Sequence, residues 1–432
     1  MHAGSVGVDL LVWTAAGVAS LIQGLCMAEL GTMLPFAGGP YEFVSVAAES
    51  MGRAGDILSF LFIWVFVLLD PAAVAIHALT FTSYALSGVY GTCRPPYAVT
   101  ALVTVGVIEL AAVVNTLSLK ASMKLQNMLF IIKIAILLAI IFTGIAWCFR
   151  EPALLHKFTF DGPTTPVKIV ESFAVALLTS AGSSMVACMA EEMTDPSRTI
   201  PRSLLGGTLL VTTLMVLTNV AYFSVLDLQA LAESEATAVI FARSAWGAVG
   251  ALLVPVIVCV CTFGTMSAAF LSNSRLLMAA ARKRHLPAAF ALITVNSSLP
   301  VVAIACRCFI SLLLAVTGSV AFLAKSGMIG FCVMVFLEMT AMLRLRVTMK
   351  DAPRPIRVPT WLILVNIAIC LTIVLVPLMA AGEVLPYVIA VGSILTGFPA
   401  YFVLKALQRS NCGIQVNRCL QKVTFGVPSV RQ

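Results

Sequence analysis

The segment VESFAVALLTSAGSSMVACMAEEMTDPSRTIPRSL (residues 170–204) contains the features that decide the fold. Most of it is an apolar run long enough to cross a bilayer as a helix. Six consecutive small or polar residues, TSAGSS (179–184), interrupt that run. A dense charged segment then follows before apolar sequence resumes. A charged segment that connects two long apolar stretches is a pattern that depends on the class of the protein.

The composition of the whole chain answers the question of class. Hydrophobic residues make up 60% of the sequence and charged residues 11%, and the mean hydropathy is +1.03. Soluble domains are about 45–50% apolar and about 25% charged. A chain of 432 residues with this balance has more apolar surface than one aqueous core can bury. The composition therefore excludes a soluble protein and predicts a polytopic membrane protein.

Eleven apolar stretches are long enough to be membrane spans. They lie near residues 8–27, 57–88, 97–115, 124–147, 167–190, 204–226, 247–272, 298–319, 322–343, 358–380 and 384–405. They lack the alternation and the roughly 10-residue length of barrel strands. Backbone polar groups in lipid must be paired internally, so helices remain. We predict an all-α polytopic membrane protein with one domain over residues 1–432.

The distribution of lysine and arginine predicts the orientation. With a cytosolic C-terminus, nineteen basic residues fall in inside loops and the tail (406–432), and five fall in outside loops. With eleven spans, the N-terminus is then outside. The net charge of +8 is explained by the cytosolic loops, so no nucleic-acid partner is expected.

Charged side chains inside the apolar stretches are costly and therefore informative. Asp70 precedes Pro71, which is expected to kink the second span. Arg307 and Glu338 are expected to face the bundle interior, to pair locally or to reach the interface. Lys133 either does the same or acts as a buried ammonium that replaces a proton or a cation.

The TSAGSS segment has two interpretations. Small residues in a span allow close helix packing. Alternatively, the helix is broken here, and unwound backbone offers amide and carbonyl groups to a substrate in mid-membrane. Serine hydroxyls can satisfy backbone groups freed by such a break.

The twelve cysteines do not indicate a disulfide framework. Most lie in or beside spans, and only Cys93 and Cys148 are expected on the oxidising side. No CxxC or Cys/His spacing indicates a metal site. No paired histidines, HExxH motif or nucleophile elbow lies at membrane depth. We therefore expect no enzyme activity, no cofactor and no metal.

Four segments together resemble one family. AELGTMLPFAGGPYEF (28–43) resembles the re-entrant segment after the second helix of amino-acid/polyamine/organocation (APC) superfamily transporters. EEMTDPSRTIP (191–201) is similar to their signature after helix six. SRLLMAAARKRHLP (274–287) is similar to the end of helix eight, and RPIRVP (354–359) to the entry to helix eleven. The best match is the L-type branch, the light chains of heterodimeric amino acid transporters.

The resemblance implies a LeuT-like fold of two inverted five-helix repeats plus two further helices. The chain would then hold family helices two to twelve, and family helix one would be absent. TSAGSS falls on the break in family helix six, where Leu178 and Ser183 stand at positions that are usually aromatic, which implies a pocket that is wider or differently gated. The implied substrate-binding residues are Leu178, Thr179, Ser180, Ala181, Gly182, Ser183 and Ser184, with Leu69, Ala73 and His77 of helix three.

Two further roles are implied by the resemblance. Lys133 matches a helix-five lysine that replaces a sodium ion in sodium-independent members. Cys93, in TCRPP (92–96), matches the cysteine through which light chains bond to a single-span glycoprotein heavy chain. An unpaired surface thiol is the alternative for Cys93.

The function implied is a sodium-independent exchanger of neutral L-amino acids in the plasma membrane, working by alternating access. The alternative is a truncated, transport-inactive structural or regulatory subunit that still pairs with a heavy chain. A chain that begins at Met1, without helix one, would be expected to transport little.

The charged segment itself is predicted to be a cytosolic joint. Asp195 and Pro196 are placed to start a turn, and Pro201 to start the next span. Glu191 and Glu192 end a helix whose dipole disfavours them, so they need cationic partners. Arg198 and Arg202 are nearest in sequence, and the basic loop 282–284 is on the same side. We interpret Glu191, Glu192, Arg198 and Arg202 as a gate latch.

Overall fold

The chain is almost entirely helical wherever its structure is described. The computed structural model describes residues 5–90, 93, 95–150, 159–160, 162, 164–179, 182–226, 237–294, 299–316, 319–379, 385–410, 415, 419–422, 424 and 426–428. In chain order the α-helices are α1 (Val6–Met33), α2 (Pro40–Ala48), α3 (Arg53–Leu69), α4 (Pro71–Tyr90), α5 (Tyr97–Leu117), α6 (Leu119–Arg150), α7 (Pro166–Thr179), α8 (Ser183–Cys188), α9 (Pro196–Val225), α10 (Thr237–Arg282), α11 (Val301–Val316), α12 (Val320–Thr348), α13 (Thr360–Met379), α14 (Leu385–Leu395) and α15 (Gly397–Arg409).

Ten helical segments of the described residues are long and apolar enough to cross a membrane. The pairs α3 with α4, α7 with α8, and α14 with α15 each form one such segment. The shorter apolar helix α11 is the eleventh apolar segment, so each predicted span falls on one of these helices. This confirms the prediction of an all-α polytopic membrane protein.

Many large apolar side chains point outward from the helices. Leu102 is 75% exposed, Phe149 83% and Leu252 71%. Such exposure is unfavourable in water but suits a surface in contact with lipid acyl chains. The bilayer is therefore the expected environment of this surface.

Two prolines at helix starts behave differently. α3 ends at Leu69 and α4 begins at Pro71, so the expected kink lies at Asp70. Pro201, however, lies inside α9, which already begins at Pro196. The prediction that Pro201 opens the span was wrong. Because Pro201 lies within the first two turns, its missing N–H removes one intrahelical bond and the helix continues.

Small residues bring three helices close together. A Cβ on Gly17 of α1 would lie 2.1 Å from Thr212 Cγ2 of α9, and a Cβ on Gly144 of α6 would lie 2.3 Å from Ala221 Cβ, also of α9. Both glycines therefore allow backbone approaches that any larger residue would prevent. α9 is held between α1 and α6 by these contacts.

The buried apolar side chains form two main clusters. The first joins α1, α2, α3, α12 and α13 with α7 and α8, and it includes residues of α9, α10, α11 and α15. The second joins α4, α5, α10, α11 and the start of α12. Leu178 of α7 packs against the first cluster and Met185 of α8 against the second. The helices on either side of residues 180–182 therefore contact both clusters.

A short antiparallel sheet connects the C-terminal segment to the connection after α10. β1 (Leu292–Thr294) pairs with β2 (Gly426–Pro428), and Ile293 lies opposite Val427. α15 extends to Arg409, so the first residues of the predicted tail belong to a helix.

Candidate functional site

The apolar helix of the opening segment is interrupted. α7 ends at Thr179 and α8 begins at Ser183, with Gly182 in a turn just before α8, so the described residues form two helices here. The Thr179 hydroxyl donates to the carbonyl oxygen of Ala176 at 2.7 Å and so satisfies one group of the last turn. Other carbonyls at a helix end have no intrahelical donor.

The residues predicted around the interruption differ in accessibility. Ser180 and Ala181 lie outside the described residues. Thr179 and Gly182 are exposed, Leu178 and Ser184 are half-buried, and Ser183 is buried. Among the described residues of TSAGSS, Thr179 at the end of α7 and Gly182 just before α8 are the exposed ones.

The three predicted pocket residues of family helix three lie on both sides of the α3–α4 junction. Leu69, the last residue of α3, is buried, and a Cβ on Gly330 of α12 would lie 2.8 Å from its side chain. Ala73 is exposed and His77 is half-buried on α4. They are four residues apart, so they share one helix face.

Lys133 connects α6 to α10 at membrane depth. Its ammonium donates to the Thr265 hydroxyl at 3.0 Å. A Cβ on Gly264 would lie 3.4 Å from the same Nζ, so the absence of a side chain at Gly264 leaves room for the lysine. Gln126 donates to the Gly264 carbonyl at 3.1 Å. The structure thus places the Lys133 amino group against α10.

Asp70 and Arg307 form a buried ion pair, which agrees with the expectation of local pairing. The Arg307 guanidinium contacts the Asp70 carboxylate and stacks over the Phe66 ring, with its carbon 5.8 Å from the ring centroid. Asn273 of α10 donates to the same carboxylate at 3.0 Å. Glu338 is buried, and its Oε2 has no hydrogen-bond partner among the described residues. Asp70 lies between Leu69 and Ala73, a placement that sequence reasoning did not connect with the pocket.

The two glutamates that follow α8 are bound to α10. Glu192 Oε1 lies 2.5 Å from Arg275 Nε, and both Glu191 oxygens lie 3.0 Å from Arg282 Nη1. Arg275 and Arg282 are seven residues apart, which places them on one face of α10. We call these two ion pairs the α8–α10 clamp.

The predicted pairing of these glutamates with Arg198 and Arg202 was wrong. Arg198 instead lies 3.8 Å from Asp195, and both side chains are largely exposed. Arg202 is also exposed, on the first turns of α9. α9 turns its early arginines toward solvent, whereas α10 presents two arginines to the end of α8. Of the two cation sources considered, the loop that includes Arg282 supplies one partner, and Arg275 was missed.

The segment between α1 and α2 packs against both helices that the α8–α10 clamp connects. A Cβ on Gly39 would lie 2.8 Å from the Ala187 carbonyl carbon of α8, and one on Gly38 would lie 2.4 Å from Ala279 Cβ of α10. Both glycines have positive φ, 38° and 101°. Lys283, beyond α10, lies 3.2 Å from Glu42 and 3.5 Å from Glu49. The basic loop and the acidic residues near α2 were the sequence signal for this contact.

His285 lies at the centre of a polar cluster between three segments. Its Nδ1 is 2.6 Å from the Tyr41 hydroxyl and its Nε2 is 2.6 Å from Asp56 Oδ1. Asp56 also accepts from Lys405 at 2.6 Å and from the Tyr401 hydroxyl. Burial lowers the pKa of His285 and outweighs the opposing effect of Asp56. In the neutral ring, Tyr41 donates to Nδ1 and Nε2–H donates to Asp56.

The two cysteines expected on the oxidising side differ in exposure. Cys93 is exposed just after α4, and its backbone N–H donates to the Tyr90 carbonyl at 3.0 Å. Cys148 is half-buried in α6, and its thiol donates to the Ser224 hydroxyl at 3.1 Å. Only Cys93 of this pair is presented at the surface. Across the described part of the chain, no group of three or more His, Cys, Asp or Glu could hold a metal ion.

Comparison with known proteins places these features in one family. The family model described as "Amino acid permease" matches residues 2–404. The b(0,+)-type amino acid transporter 1 of Mus musculus is 30% identical over 410 residues, which cover 92% of this chain and 81% of the relative. The large neutral amino acids transporter small subunit 2 of Homo sapiens is 31% identical, with 93% and 74% covered.

The similarity extends to a relative with a different named substrate. The cystine/glutamate transporter of Homo sapiens is 29% identical over 406 residues, with 93% of this chain and 79% of the relative covered. Most of each relative is therefore matched, and the residues matched by the family model include the interrupted helix, the α8–α10 clamp and Lys133. The chain belongs to the amino acid permease family of the APC superfamily.

Proposed function

We propose that this chain is a sodium-independent exchanger of neutral L-amino acids that works by alternating access. The observation that carries the proposal is the division of this apolar segment into α7 and α8, whose side chains contact both apolar clusters. In transporters of inverted-repeat fold, substrate sites are formed by discontinuous helices at the interface between bodies that rock against each other. The orientation proposed is multi-pass in the plasma membrane, with the C-terminus cytosolic.

The chemistry around the interruption suits an amino acid zwitterion. The end of α7 offers backbone carbonyls to an ammonium group. The side chain of the substrate would lie toward Leu69, Ala73 and Leu178. His77 is the one ionisable residue among the proposed pocket positions. A lining of this kind favours an uncharged substrate side chain, because burying an unpaired charge is costly.

Lys133 is proposed to take the place of a coupling cation. Its ammonium bonds to Thr265 of α10 at 3.0 Å, so it already supplies a fixed positive charge between α6 and α10. Because the Lys133 ammonium is part of the chain, this positive charge is present without a bound sodium ion, which supports transport that is independent of sodium. The α8–α10 clamp is proposed to hold the cytosolic side closed.

Cys93 is proposed to form a disulfide with a single-span glycoprotein heavy chain. Its exposure supports the assignment, whereas the thiol of Cys148 already bonds inward to Ser224. One relative is named as a transporter small subunit, which supports a two-chain assembly.

Exchange in proteoliposomes tests the proposed function. Vesicles with the purified chain are preloaded with unlabelled leucine and given radiolabelled leucine outside, in sodium or choline buffer. We expect uptake that depends on preloading, is equal in both buffers and is inhibited by neutral amino acids more than by lysine or glutamate. Absence of uptake in preloaded vesicles would contradict the proposal and would favour the alternative of a transport-inactive subunit, for which little uptake is expected because family helix one would be absent.

A pocket variant links the activity to the interruption. Leu178→Trp adds bulk at the proposed pocket and should raise the KM for leucine more than that for alanine. Val175→Trp, at an exposed position on the same helix, is the matched control. Equal effects of the two variants on both substrates would count against the placement of the pocket.

A further inference from the structure

The Asp70–Arg307 ion pair lies beside the proposed pocket and is absent from the function proposed so far. Asp70 separates α3 from α4, and it lies between Leu69 and Ala73, both proposed pocket residues. The Ala73 N–H donates to the Asp70 carbonyl at 3.1 Å, so the two residues are one turn apart. Any charge on Asp70 therefore acts on the pocket.

The two members of the pair differ in accessibility. The Arg307 side chain is 1% exposed and the Asp70 side chain is 21% exposed. Asn273 holds the same carboxylate from α10. Arg307 thus neutralises Asp70 from a buried position, and of the two side chains only the carboxylate is partly exposed. A substrate would meet an acid whose charge is already compensated.

Other charges near the pair are also accounted for. Ser272 of α10 donates to the sulfur of Met189, just after α8, at 3.6 Å, and its neighbour Asn273 holds Asp70. Arg275 is bound to Glu192 in the clamp. Glu338 is buried on α12. The Asp70–Arg307 pair therefore consists of a buried guanidinium and a partly exposed carboxylate beside the proposed pocket.

We propose that the Asp70–Arg307 pair sets the charge selectivity of the substrate site. With both residues present, the site has no net charge at its side-chain end and accepts uncharged side chains. Without Arg307, the carboxylate is uncompensated and favours cationic side chains. Without Asp70, the buried guanidinium favours anionic side chains. This inference rests on the proposed function, because it concerns the substrate class of the same site.

A thiol reporter measures the local charge without requiring transport. Ala73→Cys places a thiol at an exposed position next to Asp70. Its reaction rates with cationic trimethylammonium-ethyl and anionic sulfonato-ethyl methanethiosulfonate are read by peptide mass spectrometry, which separates the introduced thiol from the native cysteines. Removing one unit charge at a distance of about 6 Å should change the ratio of the two rates about tenfold or more at the dielectric of a partly exposed site.

The reaction rates of the thiol reporter are compared between variants of Asp70 and Arg307. Arg307→Gln should raise the cationic-to-anionic rate ratio about tenfold, and Asp70→Asn should lower it by a similar factor. The double variant, Asp70→Asn with Arg307→Gln, removes both charges and should restore the original ratio. If either single variant loses the size-exclusion peak of the folded protein, the reversed pair Asp70→Arg with Arg307→Asp keeps an ion pair and should lower the ratio.

Uptake in proteoliposomes tests the consequence for selectivity. Arg307→Gln should gain lysine uptake relative to leucine by about tenfold, and the double variant should return to the wild-type preference. Absence of leucine uptake by the wild-type chain would contradict the proposed function. The thiol reporter would still test the effect of the ion pair on the local charge, because it does not require transport. A rate ratio that is the same in Arg307→Gln and the double variant, or a shifted ratio with unchanged substrate preference, would overturn this inference.

Discussion

Glu192 Oε1 lies 2.5 Å from Arg275 Nε, although the two residues are 83 positions apart in the sequence. The Arg275 side chain is 3% exposed and the Glu192 side chain is 34% exposed. A guanidinium buried to this degree needs its counter-charge, because an unpaired buried charge is strongly destabilising. The contact therefore fastens the end of α8 to α10 on the side predicted to be cytosolic.

Loss of this contact should slow exchange. Glu192→Gln removes the charge but keeps the shape, and a hydrogen bond to a charged group contributes about 1.5–3 kcal/mol. We expect the maximal exchange rate to fall about fivefold because the closed state loses population, while KM changes by less than about twofold. Proteoliposome kinetics measure both. Asp195→Asn, which removes an exposed carboxylate from the same loop, is the control, and a change in KM alone would refute the role of the clamp.

Lys133 should be required for transport. Lys133→Ala removes the fixed charge from α10, and we expect exchange to fall about tenfold or more, because the buried Thr265 contact is lost with it. Thr265→Val keeps the ammonium and removes one hydrogen bond, so a smaller loss of about threefold is expected. Uptake rates in sodium and choline buffers provide the measurement. Wild-type uptake that requires sodium would argue against the role proposed for Lys133.

The stability of the protein should decrease in acid through His285. Burial lowers the pKa of His285 below its ordinary value of 6.5, so the folded protein favours the neutral ring. The stabilisation is fully present above pH 6.5 and is lost as the pH falls, because the unfolded chain binds the proton first. The apparent melting temperature in detergent should therefore decrease below this pH. His285→Asn should weaken that dependence, and identical pH profiles would contradict the prediction.

Gly39 should be less tolerant of substitution than Gly52. Both have positive φ, 38° and 59°, so alanine is strained at either position by about 1–2 kcal/mol. A Cβ on Gly39 would also lie 2.8 Å from the Ala187 backbone, whereas one on Gly52 meets nothing within 4 Å. We expect Gly39→Ala to lower the melting temperature clearly more than Gly52→Ala. Equal shifts would show that the α8 contact does not limit residue size.

Cys93 should carry the intermolecular disulfide. A non-reducing gel of native membranes should show a larger band that disappears in Cys93→Ser. Cys148→Ser should keep the band, because the Cys148 thiol is half-buried against Ser224. Loss of the band in both variants, or persistence in both, would count against the assignment.

Local sequence signals predicted the membrane-spanning helices correctly, although Pro201 lies inside α9 and does not open it. Apolar length predicted the spans, because backbone groups in lipid must be paired within a helix. Pro71 predicted the junction at Asp70, because proline lacks an N–H and restricts the residue before it. The small residues of TSAGSS offered two interpretations, close helix packing or a broken helix, and the structure has two helices there, one ending at Thr179 and one beginning at Ser183.

Partners distant in sequence were not predictable in the same way. Arg198 and Arg202 are the nearest cations to Glu191 and Glu192, but helix α9 turns Arg198 toward solvent and Asp195. Arg275 and Arg282, 83 and 91 positions from their glutamates, are brought to them by the packing of α8 against α10. Proximity along the chain does not decide which face of a helix a side chain occupies.

The sequence by itself determined the membrane class, the helices and the places where they break, since these depend on local hydrophobicity and backbone chemistry. Only the tertiary structure decided which charges are paired: Glu192 with Arg275, Glu191 with Arg282 and Asp70 with Arg307. The physical reason is that a charge inside a bundle must be neutralised by whichever group the helix packing brings within contact distance.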